Sequence, residues 1–281
     1  MRILRYRCDL HSVLFILLAI LVYAIQWAGV LRHPLIYGAS FCLPFIACVI
    51  NHNHQHHPTF VARRLNQAFG VLISLAMGVP ATVVVAMHNY NHHVHNNHPA
   101  DFVRASIVNF RWNLLNLLLF PFVALARYAP IKSQDIRAWR TTHPELYRQV
   151  MLERFVFYPT LLTLVALRPL ETLLYFVLPV LFGQWGILAI NHIQHDGCEP
   201  GSDYDHSRNF VGRWLNWWLF NNGYHTAHHL RPGLHWSRLP EFHAEIRQRI
   251  APALERRSLL VAVVEFYFWP GRAPNIKGVA A

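Results

Sequence analysis

Acid is what this chain has least of. Only 14 of its 281 residues are Asp or Glu, against 25 Lys or Arg, and charged residues of both signs make up 14%. So few carboxylates exclude a carboxylate-bridged metal bundle built on Glu-x-x-His pairs, and so little charge is unlike an ordinary soluble domain. Cysteine is nearly absent too. Cys8, Cys42, Cys48 and Cys198 stand singly with no CxxC, which removes a disulfide framework and a thiolate metal site and leaves four small apolar fillers. No glycine-rich nucleotide fingerprint and no HPGG-like haem stretch occurs, so neither a bound flavin nor an iron–sulfur centre nor a fused haem domain is expected. No stretch alternates polar with apolar strongly enough to argue for a sheet.

What fills the space is apolar: 54% of the residues are hydrophobic. Residues 10–30 and 172–190 are nearly uncharged runs, each long enough as a helix to cross about 30 Å of hydrocarbon. Residues 35–50 and 155–167 are shorter and read either as spans or as buried, re-entrant helices. If 10–30 pairs with 35–50, and 155–167 with 172–190, the outer turns hold only Arg32 and Arg168 of the 25 basic residues. That is the asymmetry of a cytoplasmic face. A nucleic-acid binder would also explain a net charge of +11, but a soluble one would not carry these runs, and no nucleic-acid partner is expected. The start, with Arg2, Arg5 and Arg7 before an apolar stretch, resembles a signal peptide; the run exceeds an h-region and reads as an uncleaved first span.

Between the hairpins, residues 66–87 are apolar but carry Gly70, Gly78 and Pro80. A span there would put histidines on opposite sides of the membrane, so an interfacial or dipping helix is preferred. Residues 106–126 and 210–220 read likewise, the second with Trp214, Trp217 and Trp218 at headgroup level. The expectation is an all-α membrane protein, one integral-membrane domain over residues 1–281. Four transmembrane helices form two hairpins under a cytosolic helical cap that carries a histidine-rich two-metal site. Termini and histidines face the cytoplasm, in a multi-pass protein expected of a bacterial inner membrane.

The chain has 20 histidines, and they cluster. His52, His54, His56 and His57 lie in NHNHQHH; His88, His92, His93, His95 and His98 in HNYNHHVHNNH; His192 and His195 in NHIQHDG; His225, His228 and His229 in YHTAHH. Each cluster follows an apolar segment on the same side. Residues i and i+4 share a helix face, which pairs His52 with His56, His88 with His92 and His225 with His229, with His225 and His228 a further i, i+3 pair. His54 points away. The adjacent His92 and His93 can serve two neighbouring metals. Imidazole suits zinc, copper, iron or nickel, and eight or nine rings exceed one tetrahedral zinc. Two metals with open positions for oxygen or water fit the count. Lone histidines (His11, His33, His143, His206, His243) are read as hydrogen-bonded core or surface residues. A metal transporter is the non-enzyme alternative, although its ligands would sit within spans, and these spans have none.

The series His52-x3-His56, His88-x3-His92-His93 and His225-x2-His228-His229 resembles the three histidine boxes of the membrane-bound fatty acid desaturase superfamily, in order and spacing. Asn191-x3-His195 resembles the element from which acyl-CoA desaturases supply one more histidine and a water-linked asparagine. The resemblance implies a non-haem di-iron site with His52, His56, His88, His92, His93, His195, His225, His228 and His229 as ligands. It implies O2 as co-substrate and attack on an unactivated C–H bond of a fatty acyl chain, free or carrier-bound. Desaturation is the first expectation; hydroxylation and oxidative decarboxylation to a terminal alkene are the alternatives. Hydrogen-bond partners for the rings are sought in Asn89, Asp101, Asn191 and Asp196, which also read as turn residues. His98 is a further supporting candidate, His57 an assistant to His56, and His95 has no role. Electrons must come from a separate carrier such as ferredoxin, for which Arg137, Arg140, Arg148 and Arg154 offer a basic dock or, equally, contact with anionic lipid.

Overall fold

The computed structural model describes residues 2–269 and is helical nearly throughout. The only sheet among these residues is a two-residue parallel pair, β1 (Asn209–Phe210) and β2 (Glu255–Arg256), with Asn209 opposite Glu255. The chain divides into two compact units. One runs to Val84 and adds Gln134–Ile187; the other is Val85–Ser133 with the residues from Leu188 onward.

The first unit holds α1 (Asp9–Trp27), α2 (Pro34–Ser40), α3 (Cys42–His56) and α4 (Arg63–Met77), then α8 (Pro144–Leu167), α9 (Pro169–Thr172) and a π turn (Leu173–Val177). Here α1 packs on α3 and α4, α3 on α4, and α4 on α8. Gly78 takes φ +76° to end α4, a left-handed cap that costs glycine nothing, and Gln184 donates to the Met77 carbonyl at 2.8 Å. Gly183 lets its helix lie against α3, where a Cβ would stand 2.6 Å from the Phe45 nitrogen. Glu153, fully buried, accepts from the Thr82 N–H at 2.8 Å and from the Thr82 hydroxyl at 2.6 Å. Leu14, Leu17 and Leu21 of α1 and Phe155 and Leu162 of α8 face outward, and only 17% of the apolar window of α8 is buried within the protein. Such faces suit a lipid surround rather than water.

The second unit contains α5 (Val84–Met87), a π turn (His88–His92), α6 (His93–His95), much of α7 (Asn113–Thr142), the end of α10 (Leu178–His195), α11 (Arg213–Trp218), α12 (His225–Leu230), α13 (Leu239–Ile246) and α14 (Leu259–Tyr267). Ala227, Leu239, Phe242, Ile246, Ile250 and Leu254 form a core that clamps α12 against α13.

Among the described residues, five helical stretches are long and apolar enough to cross a membrane: Asp9–Trp27, Pro34–His56, Asn113–Thr142, Pro144–Leu167 and Pro169–His195. The sequence reading counts four. The addition is α7, whose segment 106–126 reads as interfacial because it mixes apolar and polar positions with several aromatics; the helix in fact runs from Asn113 to Thr142, through Pro121 and Pro130. Arg63–Met77 with Ala81–His95, broken at 78–80, would make a sixth if counted as one bent span.

Candidate metal centre

In the first unit, α3 carries His52 and His56 one turn apart, their ring centroids 5.1 Å from each other. His54 faces elsewhere: its Nδ1 meets the Thr59 hydroxyl at 2.9 Å and its ring stands edge-on to Phe69. His57 turns edge-on to Tyr6.

In the second unit the backbone of His88–His92 is a π turn, and that changes which rings meet. A π turn repeats about every five residues, a local feature concentrated at functional sites. His88 therefore pairs with His93, Nε2 to Nε2 3.0 Å, and His228 reaches the same His93 Nε2 at 3.0 Å. The i, i+4 pairing of His88 with His92 expected of an α-helix does not form a ligand pair. His92 joins a different group with His195, His225 and His229, whose ligand nitrogens all lie within 4.8 Å of one another. His225 Nε2 is 3.0 Å from His195 Nε2 and 3.1 Å from His229 Nε2. On α12, His225 and His229 thus share a group, and His228 turns to the other.

The local backbone explains why His92 is held so firmly. Asn96 and Asn97 adopt left-handed φ of 36° and 66°, tolerated best by asparagine after glycine, and fold 97–105 back over the π turn. Asp101, fully buried, accepts from the N–H groups of Asn97 (2.8 Å) and Val103 (2.9 Å) and from His92 Nδ1 at 2.7 Å. Burial pushes the Asp101 carboxyl up, but the His92 ring and those two N–H groups more than offset it and hold it below the ordinary range.

A carboxylate only accepts, so His92 Nδ1 is the donor, and a neutral ring held this way presents the lone pair of its Nε2. That atom is buried and has no hydrogen-bond partner. His195 is fixed the same way, its Nδ1 donating to the His206 carbonyl at 3.1 Å. Nitrogens gathered in this way could hold a metal ion. Nitrogens bound to one ion at about 2.1 Å stand about 3.0–3.4 Å apart, which the observed spacings match. Burial, then the neighbouring rings of His93, His225, His195 and His92, holds His229 well below the usual histidine range, keeping it neutral and ready to ligate. In the histidine groups the donors are imidazole throughout, which suits borderline transition metals rather than magnesium or calcium.

The other sequence candidates lie beside these groups. Asn191, one turn before His195, donates to the Val103 carbonyl at 3.4 Å. Asp196 accepts from the Tyr267 hydroxyl at 3.0 Å and stands 3.7 Å from His192. His95 and His98 belong to neither group of nitrogens; His98 is exposed. Of the lone histidines, His33 caps α2 and His243 pairs with Glu255 at 3.1 Å. His206 is the exception. Its ring lies 5.4 Å from that of His229, and burial followed by His92 brings it down to about 4. Arg208 was also invisible in the sequence. Fully enclosed, it donates to the carbonyls of Ile193 and Asp196, tying off the helix that carries His195. Arg137, Arg140 and Arg148 are exposed on the first unit and Arg154 half-buried.

A family model described as Fatty acid desaturase matches residues 25–259. The chain belongs to the fatty acid desaturase family. None of the curated proteins compared with it matches. Membership makes it a desaturase-type oxidoreductase, with histidine groups able to hold metal and a fatty acyl and membrane context. The matched span reaches from the end of α1 to the start of α14 and takes in every histidine assigned above.

Proposed function

We propose that this desaturase-family chain is an O2-dependent di-iron oxidoreductase that attacks an unactivated C–H bond of a fatty acyl chain, with desaturation as its reaction. The observation that carries it is the pair of inward lone pairs on His92 and His195, fixed by Asp101 and by the His206 carbonyl. We assign one iron to His92, His195, His225 and His229. The second is assigned to His88, His93 and His228, and His52 and His56 are assigned as iron ligands on their box pattern. Iron so bound supplies the oxidising power needed to break a C–H bond with O2. The chain's own groups do the rest. Asp101 fixes the His92 tautomer and aim, the His206 carbonyl does so for His195, and the enclosed cluster keeps bulk water from the reacting atoms.

An acyl substrate is supported by a second feature. An apolar cavity of about 390 Å³ in the first unit is lined by Ile20, Tyr23, Trp27, Leu161, Leu164 and Phe176, a surface suited to methylene groups and little else. Electrons are assigned to a separate carrier docking on Arg137, Arg140 and Arg148, and the histidine boxes to the cytoplasmic side of a bacterial inner membrane. Asn191 is assigned as the water-linked asparagine, and Asp196, His57 and His98 as supporting residues.

The test is mass spectrometry of lipids and volatiles from cells with and without the protein, alongside metal analysis of the detergent-purified chain. About two irons per chain and a new double bond are expected, both lost in His92→Ala and His228→Ala. A new hydroxyl or a one-carbon-shorter alkene would replace desaturation by hydroxylation or decarboxylation. Stoichiometric zinc with no O2 consumption would overturn the enzyme in favour of metal transport.

A further inference from the structure

A second pocket lies in the second unit, lined by none of the residues assigned above as iron ligands. Its volume is about 420 Å³, and Arg213, Arg247, Arg257, His243, Glu255 and Tyr224 line it. Three arginines face one carboxylate. That carboxylate is already engaged, its Oε2 3.1 Å from His243 Nε2 and 3.7 Å from Arg247 Nε. Arg213 and Arg257 have no ion-pair partner among the described residues, so the pocket keeps an excess of positive charge. Guanidinium groups bind phosphate through paired N–H donors, and a concave site with uncompensated arginines selects an anion of that kind.

The surroundings decide where the anion comes from. Arg213 opens α11, whose next residues expose Trp214 (80%), Trp217 and Trp218. Arg257 leads into α14, which exposes Leu260 (73%) and Val261. A water-facing surface seldom shows apolar groups of that size together, whereas indole beside arginine is the chemistry of the bilayer headgroup layer. We infer that the Arg213–Arg247–Arg257 pocket binds the phosphate of an anionic phospholipid headgroup, whose acyl tails lie along the tryptophans of α11 and the apolar face of α14. The inference needs the chain to be membrane-embedded and is independent of which C–H reaction it performs.

The experiment is thermal unfolding of the full-length, iron-loaded protein in detergent with added phosphatidylglycerol, phosphatidylcholine or inorganic phosphate. Phosphatidylglycerol is expected to raise the unfolding midpoint well beyond phosphatidylcholine, and inorganic phosphate to do little. The variant R213Q/R247Q/R257Q should lose most of that difference while keeping its iron and its midpoint in phosphatidylcholine. The control R137Q/R140Q/R148Q should keep the difference. Equal shifts from both lipids, a shift that survives in the pocket variant, or equal loss in the control would each overturn the site. An equal shift from inorganic phosphate would overturn the lipid as its source in favour of a soluble phosphate compound.

Discussion

His92 Nδ1 and Asp101 Oδ2 lie 2.7 Å apart with both side chains wholly enclosed. Nine residues separate them in the chain, and the asparagines at 96 and 97 make the turn that brings them together. The carboxylate has a job that a neutral amide does poorly, since an amide can offer N–H as readily as oxygen and so permits either ring tautomer.

Asp101→Asn should therefore keep the fold but weaken metal binding at the four-histidine group by about 10- to 100-fold. Asp101→Leu should do worse, because the N–H groups of Asn97 and Val103 then lose their acceptor in a buried place. Iron retained after dialysis against a graded chelator measures both. Wild-type retention in Asp101→Asn would show that the carboxylate does not set the ring.

The two groups of rings make a prediction, in which the adjacent His92 and His93 serve two neighbouring metals as their sequence suggests. His92 and His93 are neighbours in the chain but belong to different groups, whereas His92 and His195 belong to one. Double substitutions should follow the groups. His92→Ala with His195→Ala should lose little more metal than either alone, while His92→Ala with His93→Ala should lose what both single variants lose, since independent sites add and shared ones do not. Metal-to-protein ratio and the iron spectrum of each variant provide the readout. Additivity in the first pair and its absence in the second would reverse the assignment.

This register also marks how much the sequence could tell. The histidine boxes were legible because i, i+3 and i+4 spacing marks one face of an α-helix, and His52 with His56 and His225 with His229 do share a face of their helices. A slip of one hydrogen bond at 88–92 leaves no trace in residue type, so the pairing of His88 with His93 rather than His92 was not legible, although the separation of His92 from His93 was. His206 is the buried, hydrogen-bonded histidine that the sequence suggests, but its nearness to the ring of His229 was not legible, because a single histidine in a loop, 11 residues after His195, carries no spacing. The span in α7 was not legible because 106–126 mixes polar positions and aromatics into an apolar run. Proline usually ends a helix, yet Pro121 and Pro130 sit inside one, as apolar, membrane-length helices tolerate when neighbouring groups satisfy the freed carbonyls. Gly78 and Pro80 did what their chemistry promises and ended α4.

Close approach within the first unit can be tested at glycine. A Cβ at Gly183 would stand 2.6 Å from the Phe45 nitrogen and 2.7 Å from Pro44 Cβ, whereas one at Gly38 would meet nothing within 4 Å. Backbone cannot swing aside as a long side chain can. Gly183→Ala should cost about 1–3 kcal/mol as an overpacked contact, seen as a drop in the detergent unfolding midpoint, and Gly38→Ala should be neutral or slightly stabilising. Equal behaviour of the two variants would mean that α3 and the helix of Gly183 are not in contact.

Arg208 gives the sharpest division between holding the fold and aiming a ligand. Its guanidinium donates to the carbonyls of Ile193 and Asp196, the latter at 3.0 Å, and its face lies on the Phe266 ring with the centroid 5.0 Å away. These carbonyls belong to the last turn of the helix bearing His195, where no further backbone N–H can satisfy them and where a cation is favoured. Arg208→Met fills similar volume but leaves buried acceptors unmatched, at about 1–3 kcal/mol. Arg208→Lys keeps the charge without the fork that spans two carbonyls, and should recover only part of the loss. Both should lower the unfolding midpoint. If Arg208 also positions His195, metal affinity at the four-histidine group falls in the same order while the iron on His88, His93 and His228 stays. Equal loss from both groups would reduce Arg208 to a structural cap.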